Sequence, residues 1–322
     1  MRRSAASVLW FGLPFAVAFC IGIPFVVLDS KRFWLDIWNL WDSMRYGTGL
    51  PGLDNGWVHH FRFSLRYGLG LPLFAAGLAG AAVLLAREPR NGALLLSFPI
   101  AYYLVAGSMG YLFFRYMIPI LPFLCLTAAH VLCDSIRRLP LPGFPDPRKR
   151  SVFTGVATTV GAVLLVLPSA ISTWHFNRII SETDNRVVVA RWFNENVPPG
   201  SSVLQSGSRY GYASLDSERF VQWRWDQARG IFVVKNRPAT GLPDWILLQD
   251  SPLPSTTQEV VKEFLTKGYQ LAGEFTALSL KDERVYDRQD AFFVPFAGFS
   301  GVKRPGPNIS LYKRTGIIPD AP

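Results

Sequence analysis

The residues best suited to chemistry lie in one apolar stretch, Gly110-Tyr111-Leu112-Phe113-Phe114-Arg115-Tyr116-Met117-Ile118-Pro119-Ile120-Leu121-Pro122-Phe123-Leu124. Arg115 is an ionisable group within a run that otherwise reads as a membrane span. Such a group is costly unless it snorkels, pairs or faces a cavity. Its planar guanidinium presents in-plane donors that match the oxygens of a phosphate. Pro119 and Pro122 remove backbone donors and bend a helix, which leaves carbonyls for a neighbour or a cavity to satisfy. Arg115 and Tyr116 therefore form a candidate lipid-phosphate site. The plainer reading is a snorkelling arginine above a routine proline kink.

A second cluster, His59, His60, Arg62 and Arg66, forms a candidate outer-loop site around the start of the next apolar run. Consecutive histidines on a helix point ~100° apart and cannot chelate one ion by themselves. His130 lies inside an apolar run and His175 at the edge of one, so the residues predict no metal site. Cys20, Cys125 and Cys133 fall in or beside apolar runs without a CxxC spacing, which points to packing rather than to disulfides or zinc. The sequence carries no GxSxG, Walker loop, HExxH or EF-hand loop. Ser206-Gly207-Ser208-Arg209-Tyr210-Gly211 comes nearest to a phosphate cradle, but it lacks the dinucleotide spacing and reads as a turn ending a strand.

The elements that must position these residues follow from composition. Of 322 residues, 49% are hydrophobic and 17% charged. The charge is divided unevenly: residues 1–174 hold 15 Lys+Arg against 7 Asp+Glu, and residues 175–322 hold 18 against 16. Most of the +10 net charge thus flanks apolar runs, which argues against nucleic acid as a partner. A span needs about 20 apolar residues. Five runs serve, at about 8–28, 65–86, 92–107, 111–133 and 153–174, with 29–64 as an outer loop. Val8–Leu28 is longer than a signal-peptide core and no A-x-A site ends it, so it reads as an uncleaved span. The inner segments contain Arg2, Arg3, Arg87, Arg90, Arg137, Arg138, Arg148, Lys149 and Arg150, against Lys31, Arg32, Arg45 and Arg62 in the outer loop. That asymmetry predicts a cytoplasmic N-terminus and residues 175–322 outside the cytoplasm. In the outer loop, Trp34, Trp38 and Trp41 fall at i, i+4 and i+7, one face of a helix lying in the interface.

Residues 175–322 read as a small extracytoplasmic α/β domain following an α-helical membrane region of about five spans. Asp184 caps a helix over 185–196, and Val197-Pro198-Pro199-Gly200 stops it. Strands are expected at 202–205, 245–248, 269–280 and 309–313. A helix opens at Ser255 or Thr256, with Thr256 and Glu259 as a capping box, and closes at Gly268. Strand-helix alternation predicts a three-layer sheet. Asp287, Arg288 and Asp290 precede Ala291-Phe292-Phe293-Val294-Pro295-Phe296, a strip that either dips toward the membrane or folds into the core. Asn308-Ile309-Ser310 fits a glycosylation sequon, a pattern common by chance.

The element Arg-Tyr-x-x-Pro-x-x-Pro-x-Leu, Arg115 to Leu124, resembles the late-span motif of the C-type membrane glycosyltransferases, which include protein O-mannosyltransferases and aminoarabinose transferases of lipid A. Leu28–Phe33, Gly56–His60, Phe63–Gly70, Asp184–Arg186, Ala190–Trp192 and Val197–Gly200 resemble bacterial members assigned to glycosyltransferase family 39. The resemblance implies an enzyme of the cytoplasmic membrane that takes a sugar from a polyprenyl-phosphate carrier and attaches it to a lipid, glycan or protein on the outer face. The arginine of the motif is then expected to hold the carrier phosphate, with membrane lipids around it. No cofactor is implied, although related enzymes can use a divalent ion. The family's acceptor-activating acid lies in an earlier outer loop, and the first outer loop here resembles a later one. The chain is therefore expected to be a C-terminal portion working with an N-terminal half encoded upstream, and Asp29, Asp36, Asp42 and Asp54 receive no catalytic role. The alternative is a non-catalytic membrane accessory or receptor protein whose outer domain binds a partner. A transporter would show paired broken helices or inverted repeats.

Overall fold

The computed structural model describes residues 2–46, 55–140, 146–226, 228–253, 259–266, 268–280, 283–289 and 293–315. The helical part begins with α1 (Arg2–Gly22), α2 (Phe25–Leu28) and α3 (Ser30–Tyr46). The expected first span stops early, because the chain breaks at Ile23 and Pro24, and proline cannot donate to the helix preceding it. α3 has no buried residue, and its Trp34 and Trp38 are exposed.

α4 (Gly56–Leu69) and α5 (Leu71–Arg87) meet at a bend of 114°. The sequence predicted one span entered at Leu65. Gly70 overrides that reading with φ +75°, a left-handed conformation open to glycine, and a Cβ there would stand 2.7 Å from Ser169 Oγ. α6 (Pro89–Gly107) and α7 (Phe114–Arg137) follow, and then α8 (Pro147–Ile180), which leads through a turn into α9 (Asn185–Asn196). Two of these stretches, Phe114–Arg137 and Pro147–Asn196, are long and apolar enough to cross a membrane, with a third if the bent pair is one span. This is fewer than the five spans expected. α6 has a span's length, but Arg90, Asn91, Tyr102 and Tyr103 dilute its hydropathy.

α5 and α7 pack closely against each other. Gly80 makes this possible: a Cβ on it would lie 1.9 Å from the Thr127 carbonyl oxygen. Thr127 Oγ1 also donates to the Gly77 carbonyl at 2.8 Å, a small-residue contact of the kind that joins helices in lipid. Gly80→Ala is therefore expected to force the pair apart and lower stability by about 1–3 kcal/mol, the usual cost of overpacking. A thermal melt in detergent checks this, and an unchanged midpoint would show that the pair can shift freely.

The sheet part confirms a three-layer arrangement. Its strands are β1 (Ser202–Gln205), β2 (Val221–Asp226), β3 (Ile231–Val234), β4 (Arg237–Pro238), β5 (Trp245–Asp250), β6 (Tyr269–Phe275) and β7 (Asn308–Arg314), in the order β4-β3-β2-β1-β5-β7-β6. β1 is parallel to β2 and β5, and the other pairs are antiparallel. Alternation in β5 sends Trp245 and Leu247 to the face covered by Val189 and Phe193 of α9. Ile246 goes to the opposite face, beneath Val261 of α10 (Glu259–Leu265). Ser255, Thr256 and the expected capping box lie outside the described residues, whereas Gly268 has φ +95° just beyond the helix, as a terminating glycine should.

Asp184 caps α9 by accepting from Arg186 N–H at 2.8 Å, and its other oxygen meets Arg186 Nη2 at 2.5 Å. Burial pushes this carboxyl up, but the hydrogen bonds and charge of Arg186 outweigh it and hold the group below the ordinary carboxylate range. Its contribution to stability is therefore present above the usual carboxylate pKa and is lost as pH falls through the lowered one.

Candidate functional site

Arg115 and Tyr116 sit in the first turn of α7, but that turn is not the kinked α-helix expected from the prolines. Phe114–Ile120 is wound as a 3-10 helix, with Pro119 inside it, and becomes α-helical at Leu121. The tighter winding takes up the missing proline donors without a sharp kink. Arg115 is exposed, with its guanidinium carbon 4.0 Å from the ring centre of Phe113 and 5.9 Å from that of Tyr116. Tyr116 meets Phe113 edge-on at 5.4 Å, and Tyr111 stacks on Phe113 at 6.0 Å. A cation is thus held over aromatic faces.

Two separate segments, α3 and the stretch Asp287–Gln289, fix the backbone just before Arg115. Gly110 N–H donates to the Met44 carbonyl at the end of α3, at 2.8 Å. Phe114 N–H donates to Asp287 Oδ2 at 2.8 Å, and Leu112 N–H donates to Gln289 Oε1. The Phe114 ring packs against Phe296 at 4.9 Å and His59 at 5.8 Å. Asp287 is only 5% exposed, so its carboxylate is committed to this junction between the helical and sheet parts. Phe296 thus reaches the helical part, also packing on Phe176 of α8 at 5.8 Å, whereas Phe293 is buried with Leu253 and Tyr286. Asp290, Ala291 and Phe292 lie outside the described residues. Beside Asp287, burial pushes the Tyr286 phenol up to about 12. Sequence reasoning marked Asp287 only as part of a charged cluster and missed Gln289. Neither has a motif, and each meets its partner more than 170 residues away.

The outer-loop cluster divides between two environments. α4 contains a π-helical turn, His60–Leu65, a feature often found near functional sites. His59 is buried against Phe114 and Phe63. His60 is fully buried, and its Nδ1 shares a hydrogen bond with Ser64 Oγ at 2.9 Å. Both histidines lie inside the packing around α4, with His59 set against the start of α7. Arg62 and Arg66 are exposed, and Arg66 lies over Tyr67 at 5.5 Å. The structure thus brings His59 to Arg115's segment and leaves Arg62 and Arg66 facing outward. α4 is held by Trp57, whose Nε1 donates to the Leu104 carbonyl at 3.1 Å and whose own carbonyl accepts from the Tyr103 hydroxyl.

The remaining candidates serve the fold. In Ser206–Gly211, Ser208 caps a short 3-10 turn and Gln249 Nε2 donates to its carbonyl at 3.0 Å, so the loop closes on itself as a turn. Asn308 accepts from Ala277 N–H at 2.8 Å and Leu278 N–H at 3.0 Å, which commits its side chain to the sheet. Asp36 pairs with Arg32 at 4.0 Å on α3, and Asp54 lies outside the described residues. Among the described residues, no three His, Cys, Asp or Glu side chains are grouped to hold a metal ion. No protein-family model, curated protein or solved structure matches this chain.

Proposed function

We propose that the chain is part of a membrane glycosyltransferase of the C type and contributes the carrier-phosphate site of an enzyme that moves a sugar from a polyprenyl-phosphate carrier to a lipid, glycan or protein acceptor. The observation that carries this reading is Arg115. It is an exposed guanidinium at the first turn of an apolar helix, stacked on Phe113 at 4.0 Å, in a segment fixed by α3 and by the sheet part. A fixed cation at that level matches a lipid phosphate, and the positive end of the helix dipole favours the same charge. The purified chain in nanodiscs should bind a polyprenyl phosphate and discriminate against the corresponding polyprenyl alcohol by at least about tenfold, the worth of one charge-assisted contact. Equal binding of the two would remove the phosphate from the reading.

The reaction is placed on the outer face of the cytoplasmic membrane, with the N-terminus inside, five spans and the sheet domain periplasmic or extracellular. Arginines and lysines in the short loops support this orientation. Alkaline phosphatase fused after residue 180 should then be active. Activity from a cytoplasm-only reporter at the same position would reverse the orientation and exclude a donor on the outer face.

A further inference from the structure

We propose that the outer end of α8 and the loop Phe299–Lys303 form a binding site for a phospholipid with a phosphoethanolamine headgroup. Between them lies a cleft of about 730 Å³, with His175, Arg178 and Glu182 on the helix side and Phe299 and Lys303 on the loop side. The charges in it are mixed. Arg178 and Glu182 stand at i and i+4, side by side on the helix surface. Among the described residues no ion pair joins them, and Arg178 lies instead over the Trp174 ring at 6.0 Å.

That mixture selects a zwitterion. Arg178 and Lys303, on opposite sides of the cleft, supply the cations that a phosphate would pair with. A purely anionic headgroup would also face Glu182 and the carbonyls closing α8, which carry the negative end of the helix dipole. A primary ammonium linked to the phosphate by two carbons turns both features into partners, because it donates hydrogen bonds to a carboxylate and to carbonyl oxygens. A quaternary choline has no proton to donate.

The acyl end is provided for as well. A smaller cavity of about 170 Å³, lined by Tyr67, Ser169, Phe176, Phe296 and Phe299, adjoins the cleft further back along α8. Ser169 precedes Arg178 by nine residues, about 13 Å of helix at 1.5 Å per residue. Phe299 lines both spaces and stacks on His175 at 5.4 Å, and the neighbouring Trp174 is exposed. Polar and apolar subsites therefore lie in the order in which a phospholipid presents its parts. The loop is built in advance: Arg284 Nη2 donates to the Ser300 carbonyl at 2.6 Å, Ser279 N–H to the Gly301 carbonyl at 3.0 Å, and Lys303 N–H to the Ala277 carbonyl at 2.8 Å. A lipid held there would join α8 to the sheet domain at a place separate from Arg115.

Native mass spectrometry of the full chain released from nanodiscs tests this, with phosphatidylethanolamine, phosphatidylglycerol and phosphatidylcholine supplied in equal amounts. Phosphatidylethanolamine should be retained over the other two. Arg178→Ala and Glu182→Gln should each weaken its retention about tenfold, the size of one charge-assisted contact. Excess inorganic phosphate should not displace it. Equal retention of the three lipids, or undiminished retention in Glu182→Gln, would overturn the proposal. Displacement by inorganic phosphate would also overturn it, by assigning the cleft to the free ion. Glu182→Gln is nearly isosteric, so it decides the matter even if Arg178→Ala fails to fold. The readout needs no sugar transfer, so it stands or falls independently of the transferase reading.

Discussion

Arg115→Ala is expected to weaken polyprenyl-phosphate binding roughly a hundredfold, the upper range for losing hydrogen bonds to a charged group. Arg115→Lys is expected to weaken it about tenfold, near 1.4 kcal/mol. The order of the two variants carries the argument. Lysine keeps the charge but loses the fork, and its compact ammonium sits less well on the Phe113 face that the guanidinium carbon approaches to 4.0 Å. If Arg115 only snorkels, lysine should behave as the parent, because both side chains reach the interface equally well. Phe113→Leu provides a second check: without the aromatic face the arginine is less ordered, and carrier affinity should fall while the helix stays inserted. Carrier affinity in nanodiscs separates these outcomes, and unaltered binding by Arg115→Ala would reduce Arg115 to an anchor.

What could be read from the sequence was whatever rests on local periodicity. The apolar runs, the Asp184 cap on α9, β1, β5 and β7 each follow from a pattern within a dozen residues. Gly70 shows where this stops. Nothing in Gly68-Leu69-Gly70 says which glycine turns the chain, and the choice is made by Ser169, about a hundred residues later. β2 and β3 went unread for a different reason. Val221-Gln222-Trp223-Arg224-Trp225-Asp226 does alternate apolar and polar residues as a strand should, but the run is short and lies in a charged, turn-rich stretch, and pairing with β1 and β3 is what fixes it. The candidate site divides in the same way. Arg115 stood out because a charge in an apolar run is conspicuous by itself. His59 and His60 are equally conspicuous by type, but that both lie buried cannot be read from a pair of adjacent residues.

The same limit makes Asp287 the more telling target, because only the fold gives it a role. Asp287→Ala removes the acceptor for Phe114 N–H in a buried position. A buried donor left without a partner costs about 1–3 kcal/mol, which the junction cannot readily recover from water. Asp287→Asn keeps an oxygen in place but replaces a charged acceptor with a neutral one, so it should lose only part of that amount. The loss falls at the start of α7, one residue before Arg115. Carrier affinity should therefore drop in Asp287→Ala, although Asp287 acts through the backbone and not on the carrier, and Asp287→Asn should recover much of it. Hydrogen exchange distinguishes this from general damage. Amides over 112–117 should exchange faster in Asp287→Ala, while those of β1, β5 and β7 keep their protection. Uniform acceleration across both regions would mean that Asp287 merely supports the sheet domain. No change in either region would mean that α3 and Phe296 hold the turn without it.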